Sequence, residues 1–246
     1  STRVRSSAAS DVYKRQAQQS IRELNLTGRT FDDVLDAATF GVFREDFRRG
    51  FIADGDHLKT DDEVEYALGS GYTMITLDCS EHIRNNVNNM TDAEVYGEYQ
   101  DDKQLEELYC NKSFAVEDYI VSFSAEEFMR ACLIYCNAID HAEHIYRKYI
   151  EGRPVAFELS IDETATPTTP AQHYFVASEL IRRGVKLTTV APRFCGEFQK
   201  GIDYVGDLAR FEAEFSIHAA IARHFGYKLS IPVSYTHLRA HETLSD

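Results

Sequence analysis

VAFELSIDET, residues 155–164, alternates with a period of two. On an extended chain Val155, Phe157, Leu159 and Ile161 share one face, and Glu158, Ser160 and Asp162 share the other. A strand in an open doubly wound sheet is apolar on both faces. One polar face suits the wall of a barrel whose interior carries a site, with the last residues standing at its mouth.

Three other runs read the same way: GFIADGDHLKT (50–60), GYTMITLDCS (71–80) and KLTTVAPRFCGEFQKGIDY (186–204). Each is an apolar stretch that ends in carboxylate, imidazole, guanidinium or ammonium groups. Asp54 and Asp56 share a parity, as do Thr76 and Asp78. Strands are expected at 50–56, 72–78, 155–161, 186–191 and 227–230.

Helical signals lie between them. Thr30 caps a helix expected over 31–47, and Ser124 with Glu127 forms a capping box before one over about 125–150. Others are expected over about 61–68, 171–183 (closed by Gly184) and 204–225 (closed by Gly226). Residues 17–24 read as a helix end, and 81–112 as a polar, irregular insertion with a short helix. The β-α alternation predicts a parallel sheet. The fold expected is α/β, a TIM-like (β/α) barrel that is incomplete, with about five strands.

Residues 1–16 and 231–246 share no period with the body and resemble translated adaptor sequence. They are set aside as non-native tails around a partial barrel domain over 17–230, so the chain reads as a fragment. His237 and His241 then carry no functional weight.

The net charge of −14 argues against nucleic acid or an anionic membrane as partner. No apolar run is long enough for a membrane span. Five scattered cysteines fit reduced thiols in a cytoplasm better than a disulfide framework. Nucleotide-binding glycine motifs and a serine-hydrolase elbow are absent.

The stretches ADGDHLKT (53–60), ELSIDET with PTTP (158–170) and APRFCGEFQKGIDYVGDL (191–208), with FGYKLS (225–230), resemble the tagaturonate epimerases, bacterial enzymes of hexuronate breakdown. The resemblance covers about residues 17–230. It implies a (β/α) barrel, a divalent metal cation, a small sugar-acid substrate and interconversion of tagaturonate with fructuronate. It also implies a further C-terminal part with histidine motifs.

The chemistry expected is deprotonation and reprotonation next to the ketone, with a base, an acid and positive charge at the oxyanion. A retro-aldol route would use similar groups. Asp56 and Glu163 are the expected acid/base pair, and His57 a metal ligand or an oriented base. Asp162 supports Glu163, or the two exchange roles. Lys59, Arg193 and Lys200 are candidates for the substrate carboxylate, with Glu197 between the last two. Arg193, Glu197 and Lys200 read equally as an internal salt-bridge set. His141 and His144 read as a solvated helix face, and His218 as a satisfied core histidine. Alternatives are another metal-dependent barrel isomerase or aldolase, or an inert fragment.

Overall fold

The structure is a computed structural model and describes residues 15–48, 50–197 and 204–231. Its frame is a parallel sheet of six strands: β1 (Arg15–Gln19), β2 (Ile52–Leu58), β3 (Met74–Asp78), β6 (Ala156–Ile161), β7 (Thr189–Pro192) and β8 (Lys228–Leu229). They are ordered β1-β2-β3-β6-β7-β8. A hairpin of β4 (Ser113–Val116) and β5 (Tyr119–Ser122) stands apart from it.

All five expected strands are present and parallel. A sixth was missed: 15–19 is an edge strand paired with β2, followed by helix α1 (Ile21–Thr27). The expected helix end at 17–24 is therefore corrected, and the sheet reaches two residues into the segment set aside as a tail. RQAQQ has no apolar run, and Ala17 is its residue in the apolar core. Residues 1–14 and 232–246, with His237 and His241, lie outside the described residues. The sheet is open: among the described residues β1 pairs only with β2 and β8 only with β7. A closed barrel is thus not what these strands form.

The two faces of the sheet differ as strand parity predicts. Ala53, Ile75, Leu77, Phe157, Leu159 and Val190 belong to the apolar core. On this side a Cβ at Gly55 would come within 3.0 Å of Ala67 Cβ in α3 (Asp61–Gly69), so the bare backbone lets that helix approach. The opposite face carries buried Asp54, Thr76, Glu158, Ser160 and Thr189. Thr76 donates to Asp54 Oδ1 at 3.0 Å, Thr189 donates to Glu158, and Ser230 donates to Glu158 Oε1 at 3.0 Å. Burying these groups is tolerable because they are hydrogen-bonded, Asp54 with Thr76 and Glu158 with Thr189 across strands and Ser160 to Asp162.

The helices start where side chains satisfy their first N–H groups. In α2 (Phe31–Arg44) the Asp33 amide donates to Thr30 Oγ1 at 3.1 Å and Thr30 N–H donates back to Asp33 at 2.9 Å. Ser124 and Glu127 repeat this at α6 (Ala125–Ile145), which continues as a π turn over Tyr146–Ile150. Gly184, just past α7 (Pro170–Arg182), has φ +81°, and Gly226, which closes α8 (Leu208–Phe225), has φ +80°.

The expected insertion is more ordered than its polarity suggests. It holds two 3-10 turns (Ser80–His82 and Asn85–Asn89), α4 (Asp92–Glu98) and α5 (Lys103–Tyr109). Arg130 of α6 fastens it by donating to the carbonyls of Val87 and Met90, both at 2.9 Å, and to Asp92 at 2.8 Å.

His218 is a core histidine, as expected, and belongs to a buried chain. Tyr227 OH lies 2.7 Å from His173 Nε2, and His173 Nδ1 lies 2.8 Å from His218 Nδ1. Both rings are neutral, since burial lowers both pKa values, that of His218 to about 4. A consistent assignment has Tyr227 donating to His173, which donates to His218, which bonds the Thr168 backbone. The chain ties α7, α8 and the entry to β8 together.

Candidate active site

The site begins with an irregularity in β2. Gly55 pairs with Ile75 and Leu58 with Leu77, so Asp56 and His57 together oppose Thr76 alone. This is a β-bulge, and His57 takes φ +53° to make it. In a regular strand neighbouring side chains point to opposite faces. Here the bulge brings them together, with His57 Nδ1 3.0 Å from Asp56 Oδ1. That hydrogen bond raises the His57 pKa to about 9, against the opposing cost of partial burial and with help from the charges of Asp56, Asp162 and Asp78. His57 is therefore an imidazolium at neutral pH. A left-handed backbone at a non-glycine residue is strained, and such positions gather at functional sites.

Lys59 follows, held at both ends of its own peptide unit. Its N–H donates to Glu63 Oε2 at 2.6 Å, and its carbonyl accepts from His141 Nε2 at 2.9 Å. Its ammonium donates to Ser80 Oγ at 3.2 Å and lies 3.4 Å from both Asp78 Oδ2 and Glu81 Oε1. Partial burial would lower its pKa, but Asp78 and Glu81 outweigh this and raise it. Asp78 is 2% exposed. Its Oδ1 accepts the Ser80 N–H at 2.8 Å, while Oδ2 has no hydrogen bond. At 3.4 Å the ammonium balances that oxygen by charge, without the alignment of a hydrogen bond.

Asp56, His57, Lys59, Asp78 and Glu163 line one groove of about 950 Å³. Its other wall is the start of α1, including Arg22 and Glu23. The strand-borne groups stand at the carboxyl ends of β2, β3 and β6, where parallel α/β folds place their chemistry. Glu163 is exposed to the groove and makes no hydrogen bond or ion pair among the described residues. Asp162 accepts a hydrogen bond from Ser160, and its charge reaches His57.

The other expected residues lie elsewhere. Arg193 does not line the groove. Its backbone pairs with Thr168 (Thr168 N–H to Arg193 O at 2.8 Å, Arg193 N–H to Thr168 Oγ1 at 3.1 Å), joining the loops after β6 and β7. Glu197 forms an antiparallel bridge with Val205 and is not among the residues lining the groove. Lys200 lies outside the described residues. Two residues were missed. Asp78 was legible from parity, as the last polar residue of its run. Arg22 left no signal, because α1 was not recognised.

The divalent cation implied by the resemblance finds no complete set of ligands. Among the described residues no group of three or more His, Cys, Asp and Glu side chains converges as a metal site would require. The carboxylates present already face the chain's own cations, Asp56 against His57 and Asp78 against Lys59. The described residues alone do not complete a metal centre.

A parallel α/β sheet with carboxylates, an imidazolium and an ammonium gathered at its strand ends has the arrangement of an α/β enzyme. The profile of the tagaturonate epimerase family, UxaE, matches residues 1–237. The chain belongs to that family. It is 43% identical over 233 residues to the tagaturonate/fructuronate epimerase of Thermotoga maritima, a match covering 93% of the chain and 48% of that relative. The native crystal structure of fructuronate-tagaturonate epimerase UxaE from Cohnella laeviribosi superposes with a TM-score of 0.87 at 50% identity, covering 89% of the chain and 46% of that protein. A form of the same enzyme complexed with one glycerol gives 0.86. The chain thus spans about half the length of these relatives.

Proposed function

We propose that this chain carries the acid/base groove of an epimerase that interconverts tagaturonate and fructuronate. The observation that carries the reading is the convergence of Asp56–His57, Lys59–Asp78 and Glu163 on one groove, in a chain of this family.

The chemistry requires one correction to the expectation from sequence. Counted from the hydroxymethyl end, these sugars have their ketone at carbon 2 and differ at carbon 4, two bonds away. Deprotonation next to the ketone leaves carbon 4 untouched. The retro-aldol route reaches it. A base takes the proton of the carbon-4 hydroxyl, and the bond between carbons 3 and 4 breaks. Its electrons move into an enediolate of the first three carbons, and carbon 4 becomes an aldehyde. The aldehyde turns over, the enediolate adds to its other face, and the base returns the proton.

Glu163 suits the base, since its carboxylate is unengaged among the described residues and exposed to the groove. The His57 imidazolium and Lys59 ammonium suit the enediolate oxygen, and positive charge fixed there lowers the barrier. Asp56 then orients and charges His57 rather than moving the proton itself. Arg22, with no ion pair among the described residues, suits the substrate carboxylate.

We further infer that the sheet is one wall of a barrel. Its strand order runs in one direction without the reversal of a doubly wound sheet. No described helix is long and apolar enough to cross a membrane. The five unpaired thiols support the cytoplasmic location expected from sequence.

The test uses this chain extended to the relatives' length with the remainder of the Cohnella laeviribosi enzyme, incubated with tagaturonate in heavy water. NMR should show fructuronate free of deuterium at carbon 4. Deuterium there would overturn the cleavage route. Accumulating three-carbon fragments would favour an aldolase. No conversion of either sugar would overturn the reading itself. The divalent cation is measured separately, by dialysing the purified chain against zinc or manganese.

A further inference from the structure

We infer that His141 is a positioning residue for Lys59, an inference that rests on reading the groove as the site of epimerisation. His141 lies on α6, outside the groove lining, and is 82 residues from Lys59 in sequence. The sequence assigns it, with His144, to a solvated helix face. His144 behaves so: it is exposed and lies 3.1 Å from Asp61. His141 is instead half-buried, and its Nε2 lies 2.9 Å from the Lys59 carbonyl oxygen.

A carbonyl only accepts, so Nε2 carries the hydrogen and donates it. The opposite side of the ring stacks on His82, with centroids 4.0 Å apart and planes at 19°. His82 closes the 3-10 turn Ser80–His82, which also carries the Ser80 and Glu81 partners of the Lys59 ammonium. One imidazole therefore touches both loops that fix this amine. Its hydrogen bond holds the Lys59 backbone after β2, and its stacked face backs the turn after β3.

Position matters here because Lys59 has four rotatable side-chain bonds and a partly open environment. A charge acts on an enediolate oxygen only if it is already in place when the negative charge forms. A misplacement of about 1 Å caused by a change away from the chemistry can cost on the order of 100-fold in rate. The bulge does this for His57 through backbone strain. Lys59 has an ordinary backbone and takes its fixation from Glu63 at one end and His141 at the other.

The test measures kcat and KM on tagaturonate in the extended chain for Lys59→Met, His141→Phe, the double variant and His141→Gln. Phenylalanine keeps a ring against His82 and removes the donor. Glutamine restores a donor without the stack. His141→Phe should lower kcat about 10–100-fold with KM within about twofold. In the Lys59→Met background it should cost nothing further, and His141→Gln should recover part of the loss. Full turnover in Lys59→Met would overturn the groove reading. An impaired Lys59→Met beside an unimpaired His141→Phe would overturn the positioning role alone. So would an equal loss from His141→Phe in both backgrounds, which is what a merely structural residue gives. Should His141→Phe fold poorly, a His141→Gln variant with kcat below that of Lys59→Met would contradict the inference as well.

Discussion

Asp56 and His57 are consecutive in the chain, yet their side chains meet, with Oδ1 3.0 Å from Nδ1. The meeting depends on the bulge at which both residues oppose Thr76 and His57 takes φ +53°. One backbone irregularity thus turns two side chains that would point apart into an ion pair at the mouth of the groove. The first prediction concerns that pair. The His57 pKa, raised to about 9, should be measurable by NMR titration of the ring. In Asp56→Asn it should fall well below that value, because the largest cause is lost while the burial and the charges of Asp162 and Asp78 remain. The raised value also stabilises the fold. That contribution is complete below pH 6.5 and is lost as pH rises through about 9. The side chain is 37% exposed, so solvent screening limits the effect to about 1 kcal/mol.

A second prediction runs the other way in pH. His173 and His218 are neutral and buried, and burial lowers the His218 pKa to about 4. The unfolded chain takes up protons at these rings below pH 6.5, while the folded chain does not. Stability present above pH 6.5 should therefore be lost as pH falls toward 4, by on the order of 3 kcal/mol for one such ring. Urea unfolding at a series of pH values checks this. His218→Phe should flatten the acid limb, and an unchanged limb would show that the chain of rings opens to water.

A third prediction tests the packing behind the bulge. A Cβ at Gly55 would lie 2.9 Å from Leu58 Cδ1 and 3.0 Å from Ala67 Cβ. Gly55→Ala should cost about 1–3 kcal/mol, the range for overpacking. Thermal unfolding that matches the parent would show that α3 is free to move away.

Much of this fold was legible because apolar runs that end in charge are what a one-sided parallel strand requires. VAFELSIDET shows this most plainly, since its parity gives both the core face and the buried Glu158 and Ser160. The strand 15–19 was not legible, because RQAQQ holds one small apolar residue, Ala17, and no apolar run. The bulge was not legible either. Nothing in D-G-D-H marks His57 for a left-handed backbone, and strict alternation would have separated it from Asp56. Arg193 and Glu197 read as site residues because their loop is charged; the Arg193 backbone there pairs with Thr168 in the loop after β6, and the Glu197 backbone with Val205. His141 was visible as a polar residue off the apolar stripe. Its partner, Lys59, lies too far along the chain for any local pattern to show.

A fourth prediction concerns substrate capture. If Arg22 binds the carboxylate of the keto-uronate, Arg22→Ala should raise KM about 10–100-fold with a smaller change in kcat, the scale of one charge-assisted hydrogen-bonded pair. Steady-state kinetics in the extended chain checks it. A KM unchanged within twofold would move carboxylate binding elsewhere, with Arg193 the next candidate.

The most direct test of the groove as an epimerisation site is the turnover of Glu163→Gln in the extended chain. The substitution keeps size and polarity at an exposed position, so thermal stability should match the parent within about 0.5 kcal/mol. Glutamine neither takes nor returns the hydroxyl proton. The epimerisation rate should fall by roughly 10²–10⁴, the scale of general acid/base catalysis. A rate within about threefold of the parent, in a variant that folds normally, would contradict the account.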